Sequence, residues 1–202
     1  MIITVAGFKG GVGKTTTAVH IGCYLSARAS TLLVDGDPNR SATGWASRGG
    51  LPLKVVDVMA SAKHAPNFEH IVIDTAARPD RDSLKSLVEG CDLLILPTAP
   101  EALALDAMMQ TVDLLDELGA QSYRVLLTMV PSAPRKTGQQ ARAALKSLPM
   151  FSKAIRRAAA FEKASLTGIP VYEVKGDRAA KPAWRDYQSV CKEMMEVINT
   201  HG

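Results

Sequence analysis

The densest chemistry in this 202-residue chain lies in eight consecutive residues, Lys9-Gly10-Gly11-Val12-Gly13-Lys14-Thr15-Thr16. Glycine tolerates backbone turns with positive φ, so several N–H groups of such a loop can point into one hollow. An apolar run precedes the loop and a helical pattern follows it. A helix starting near Lys14 would add the positive end of its dipole to the same hollow. These residue types in this order make a phosphate cradle. Lys14 is expected to reach the β- and γ-phosphates of a nucleotide, and the Thr15 hydroxyl to bind Mg2+. Mg2+ keeps several waters and takes few protein ligands, so one hydroxyl with carboxylates in its outer shell is enough. The common pattern GxxxxGK[ST] asks for glycine at position 8. Phe8 stands there instead, and a second lysine, Lys9, opens the loop.

Three aspartates are candidates to work with this loop. Asp35 ends the apolar run TLLVD and Asp74 lies at the end of HIVIDT. The carboxyl ends of parallel strands border the crevice where such sheets bind ligands, so both carboxylates are expected there, Asp35 as a second outer-shell ligand for the metal. Asp37 follows two residues after Asp35, and Pro38 biases it towards an extended backbone.

The elements that must position these groups alternate. Apolar runs at 2–7, 31–35, 70–75, 92–97 and 123–130 read as five buried strands. Helical spacing appears at 15–28, at about 80–90, at 101–118, in two helices with a break near Pro149 over 137–167, and at 179–199. Strands that read as continuous apolar runs between helices predict a mostly parallel twisted sheet with helices on both faces, a single-domain α/β fold spanning residues 1–202. The terminal helix carries apolar Trp184, Val190, Met194, Val197 and Ile198, a face suited to packing on the core.

At this point the chain resembles the deviant Walker ATPases of the ParA/MinD family. KGGVGKTT with its extra lysine resembles their Walker A loop. Asp35-Gly36-Asp37-Pro38 resembles the family's DxDP, Ile71–Thr75 its Walker B strand, and Leu96-Pro97-Thr98 another landmark. The matches run from residue 2 to about 195. The resemblance implies a P-loop ATP hydrolase using ATP and Mg2+. By it, Asp74 holds a water of the Mg2+ shell and Asp37 orients the attacking water. Lys9 crosses to the partner's nucleotide in a homodimer formed with ATP. The segment with Arg78 and Asp80 is placed as a switch loop.

Charge is distributed unevenly. The net charge is +4, but residues 1–120 carry 10 Lys/Arg against 14 Asp/Glu and residues 121–202 carry 14 against 6. The resemblance implies that this basic half binds nonspecific DNA. The candidates are Arg156, Arg157, Lys181 and Arg185. Lys153, Arg178 and Lys192 are possible additions, and Arg142 with Lys146 form a pair four residues apart. Such binding would rest on counterion release. A positioning or partition ATPase, cytoplasmic and nucleoid-associated, is the function implied. It would be released by an activating ParB-like or adaptor protein, and its cargo would be a plasmid, a chromosome region or a protein body such as a carboxysome.

Other classes fit less well. Cys23, Cys91 and Cys191 form no CxxC pair and read as free thiols, which does not suit a cluster-carrying relative. No run of 18 apolar residues predicts a membrane span. The start of the chain does not read as a signal peptide, nor as an extension with a helix-turn-helix. A MinD-like membrane tail asks for a basic amphipathic end, and residues 187–202 hold one lysine, Lys192, with Glu193 and Glu196. A metabolic enzyme on the same scaffold is the remaining alternative. The strand end Thr128-Met129-Val130 departs from the asparagine the family often shows there, leaving the base contacts open.

Overall fold

Six parallel strands form one sheet in the computed structural model, which describes residues 1–201, in the order β3-β2-β4-β1-β5-β6. The strands are β1 (Ile2–Gly7), β2 (Thr31–Gly36), β3 (Lys54–Asp57), β4 (His70–Ala77), β5 (Leu93–Thr98) and β6 (Tyr123–Leu127). Period-two alternation assigns their side chains to two apolar layers. Ile3, Val5, Leu33, Val72, Leu93 and Ile95 belong to one layer. Ala6, Leu94, Leu96, Val125 and Leu127 belong to the other near one edge, and Leu32, Val34 and Val56 continue it towards β3. The sheet therefore needs cover on both faces, which explains why its strands read as unbroken apolar runs.

Helix α1 (Lys14–Ser26) is buried along nearly its whole length. It packs with α2 (Ser41–Ala46), α7 (Ala159–Thr167) and α8 (Ala180–His201) on the first face. The second face is covered by α3 (Val58–His64), α4 (Arg81–Glu89), α5 (Ala102–Glu117) and α6 (Thr137–Ala144). Two of these helices start on an aspartate, the residue type that best satisfies orphan N–H groups. Asp57 accepts from the Ala60 N–H at 2.9 Å and Asp80 from the Ser83 N–H at 2.7 Å.

The structure departs from the sequence reading in several places. The sheet is parallel throughout and has a sixth strand, β3, whose four residues KVVD are too short to stand out by pattern. β6 stops at Leu127 rather than Val130, because Met129 takes the left-handed conformation at φ 52°. The break in 137–167 is far longer than one proline: α6 ends at Ala144 and α7 starts at Ala159. Residues 149–157 run instead along the free edge of β6. Phe151 donates to the Val125 carbonyl, Ile155 to Leu127 and Arg157 to Val130. Because α6 ends before Lys146, Arg142 and Lys146 do not share one helical face. The Arg142 guanidinium donates to the Phe151 carbonyl at 3.1 Å.

Candidate functional site

The carboxyl ends of β1, β2 and β4 lie side by side, and the site is built on them. Register pairs Val5 with Asp74 and Asp35 with Asp74, so the loop and both strand-end aspartates meet at one edge of the sheet. The loop leaves β1 with Gly11 at φ 77° and Gly13 at φ 87°, backbone that residues with a Cβ rarely adopt. Gly13 is also the residue that opens α1. The Lys14 side chain runs back under the loop past Gly7, and Lys14 is only 7% exposed. Thr128 closes the loop from the β6 side, its hydroxyl bonded to the Val12 carbonyl at 2.8 Å.

The two strand-end aspartates differ in their surroundings. Asp35 Oδ1 accepts from the Asp37 N–H at 3.2 Å and Oδ2 from the Thr43 N–H at 2.7 Å. Both oxygens of Asp74 are buried and have no hydrogen-bond partner among the described residues. Burial pushes the Asp74 carboxyl up to about 7, with Asp35 and Asp37 adding in the same direction. The neighbouring Thr15 hydroxyl and Lys14 ammonium favour the charged form and oppose this shift, although Thr15 completes no hydrogen bond to it. A buried carboxylate without donors is costly unless something cationic joins it. Hard oxygen donors beside a glycine cradle fit Mg2+ carried on a nucleotide's phosphates.

Asp37 sits in an Asx turn. Its Oδ1 accepts from the Asn39 backbone N–H at 2.8 Å and from Asn39 Nδ2 at 2.9 Å. Lys9 is part-exposed, with its ammonium 4.0 Å from Glu101. A pair that long and that open holds the side chain weakly. Arg78 follows β4 at φ 58°, and its N–H donates to the Gly7 carbonyl at 3.2 Å, which draws the segment after β4 against the end of β1. Asp80 caps α4.

A cavity of about 370 Å³ opens beside the loop, lined by Gly13 and Thr16 on one side and by Met129, Ile155, Arg157, Phe161 and Tyr187 among others. Its lining is mostly apolar, and it continues directly from the phosphate cradle. The size and character suit the nucleoside half of a nucleotide.

The basic candidates do not behave alike. Arg157, Lys181 and Arg185 are exposed and form no ion pair among the described residues. Arg156 is committed within the protein: its Nε and NH2 donate to Asp186 Oδ2 and Oδ1 at 2.6 and 2.9 Å. Lys153 lies 3.4 Å from the same carboxylate. Arg178 and Lys192 are exposed. Sequence pattern offered no sign of Asp186, which lies thirty positions from the residue it holds. Nor did it single out His20, whose ring is buried behind the loop with Nδ1 2.7 Å from the Thr16 carbonyl.

Cys23 and Cys191 are buried, Cys91 is partly so, and all are free thiols. Among the described residues no helix is long and apolar enough to cross a membrane. The apolar face of α8 is occupied, with Tyr187, Val190, Cys191 and Met194 in the core and Trp184, Val197 and Ile198 packed against it.

Residues 3–171 match the family described as the CobQ/CobB/MinD/ParA nucleotide binding domain. A protein named Maintenance of carboxysome distribution protein A, from Gloeobacter kilaueensis, is 35% identical over 204 residues, covering 96% of this chain and 93% of its own. A protein of the same name from Halothiobacillus neapolitanus is 26% identical over 85% of this chain and 87% of its own. A Cyanothece McdA variant solved with ATP superimposes with a TM-score of 0.71 at 17% identity, covering 98% of this chain and 96% of that one, a likeness of fold.

Proposed function

The chain belongs to the CobQ/CobB/MinD/ParA nucleotide-binding family, and from that premise we propose that it is a positioning ATPase that dimerises around ATP, rides on nonspecific DNA and lets go when ATP is hydrolysed. The observation that carries this reading is Asp74, a buried carboxylate without a partner beside Thr15 and Lys14. It needs a cation, and a metal–triphosphate is the species that also satisfies the cradle.

The roles proposed for the site residues are those the family resemblance implies. Lys14 and the N–H groups of Gly10 to Thr16 bind and neutralise phosphate oxygens. Thr15 would hold Mg2+ and Asp74 would hold a water of its shell, while Asp35 fixes the backbone at Asp37 and Thr43. Bound Mg2+ supplies charge neutralisation at the phosphoryl oxygens. Asp37 orients the attacking water. Phosphoryl transfer depends on such positioning more than on covalent chemistry by the protein. Lys9, loosely held by Glu101, reaches the nucleotide of a second copy and stabilises the charge that develops there. Dimer formation is thereby tied to the γ-phosphate, and hydrolysis separates the copies.

Arg157, Lys181 and Arg185 form the exposed set for DNA, doubled in the dimer. An adaptor that stimulates hydrolysis would release the complex from the nucleoid. Both curated relatives reported above are named for carboxysome distribution, which favours a protein body as cargo over a plasmid. The buried apolar face of α8 disfavours the membrane-tail alternative. The test is retention on a random-sequence duplex. Binding is expected with Mg2+ and ATP, absent with ADP, and lost steeply as salt rises; equal binding in ATP and ADP overturns the proposal.

A further inference from the structure

Two neighbouring residues of α8 bear on the cavity beside the phosphate loop. Asp186 accepts three hydrogen bonds from Arg156: the main-chain N–H at 3.2 Å, Nε at 2.6 Å and NH2 at 2.9 Å. Its side chain is 2% exposed. The next residue, Tyr187, lies within hydrogen-bond distance of the Thr17 hydroxyl, 3.1 Å away on α1, and lines the same cavity. Ile155, Arg156, Arg157 and Ala158 form the wall that Asp186 tethers.

This wall lies outside the helices, in residues 145–158 between α6 and α7. Its main chain is tied to β6 and just beyond it: Ile155 donates to the Leu127 carbonyl and accepts from the Val130 N–H, and Arg157 donates to the Val130 carbonyl. The Ile155 side chain is buried in the core, whereas the Arg156 side chain is fixed by Asp186. A buried carboxylate receiving a two-pronged guanidinium and a main-chain N–H is a strong and directional hold. The Coulombic and hydrogen-bonding partners outweigh the burial of Asp186 and keep its carboxyl below the usual carboxylate range, so it stays charged. Phe161 and Met129 then face a fixed apolar slot rather than a loose one.

We propose that Asp186 is a positioning residue for the nucleoside half of the site, acting through Arg156 to set the wall against which the base and ribose lie. Asp186 bonds the cavity wall at Arg156 and no residue of the phosphate loop, so its contribution is expected at the base and not at the triphosphate. Arg156 on this view serves the nucleotide and not DNA. The inference rests on the nucleotide-binding reading above.

The experiment compares two ligands that differ only in the nucleoside. Affinity for Mg-ATP is measured with a fluorescent analogue, and inorganic tripolyphosphate with Mg2+ is the competitor lacking base and sugar. Asp186→Asn is expected to weaken Mg-ATP by about tenfold or more, the scale of one charge-assisted contact network, and to leave tripolyphosphate competition unchanged. Arg156→Lys keeps a cation but loses the fork, and gives a smaller loss with the same selectivity. It also serves if Asp186→Asn does not fold. Lys14→Ala, by contrast, weakens both ligands. Equal weakening of both ligands by the variants, or unchanged ATP affinity, overturns the role of Asp186 alone. Failure of the unaltered protein to bind ATP overturns the nucleotide reading, and this inference with it.

Discussion

Asp35 and Asp74 are register partners on adjacent strands, yet both oxygens of the first accept from backbone N–H groups and those of the second accept no hydrogen bond among the described residues. On the proposed function the two are expected to do different work, with Asp35 shaping the turn that carries Asp37 and Asp74 meeting an incoming cation. Replacing Asp74 by Asn removes a carboxylate whose burial outweighs the support of Thr15 and Lys14. The metal-free protein is expected to become more stable by on the order of 1–2 kcal/mol while the stabilisation gained from Mg2+ and ATP is lost. Thermal melts in EDTA and in Mg-ATP check both halves. A variant that melts lower in EDTA and still gains from Mg-ATP contradicts the assignment.

Asp37 is expected to act on turnover and not on binding. Its Oδ1 holds Asn39 through two hydrogen bonds, so the turn at 37–40 loosens in Asp37→Ala, but no element of the phosphate cradle depends on it. ATP hydrolysis should fall by about 100-fold, with ATP affinity within about threefold of the parent by the same direct titration. A parallel loss of binding and turnover argues for a structural role instead.

His20 provides a pH signature for the fold behind the loop. Its Nε2 accepts from the Val171 N–H at 3.1 Å, its Nδ1 therefore carries the proton towards the Thr16 carbonyl, and its ring stacks on Tyr187 at 4.9 Å. Burial lowers its pKa to about 4. The unfolded chain takes up this proton near pH 6.5 and the native protein does so only near 4. Stability from this group is thus intact above about pH 6.5 and lost as pH falls towards 4, by on the order of 3 kcal/mol. The ring-carbon NMR shift of His20 should stay flat from pH 8 to about 5. Titration with a midpoint near 6.5 would place the ring in solvent.

The phosphate loop was legible because every feature that makes it is local: a strand, glycines, two lysines, a helix start. The same holds for Asp35 and Asp74, which end apolar runs. What escaped the sequence depends on contacts across the chain. β3 is four residues long and gains its identity only by pairing with β2. Residues 149–157 fall within a stretch of helical spacing, yet they are held in an irregular path by the β6 edge and by Asp186. The hydrogen bond between Thr17 and Tyr187 joins residues 170 positions apart. Basic composition marked the second half of the chain as a candidate face for DNA, but it could not reveal that the Arg156 and Arg142 guanidinium groups are spent on internal acceptors.

The most direct measurement is solution mass by light scattering, with Mg2+ and a nonhydrolysable ATP analogue, for the parent protein and for Lys9→Ala. The parent should double its mass with the analogue and remain single with ADP. Lys9→Ala should bind the analogue and stay single. A parent that remains one chain of 21.6 kDa with the analogue bound, or a Lys9→Ala protein that pairs as readily as the parent, contradicts a dimer built on a shared triphosphate.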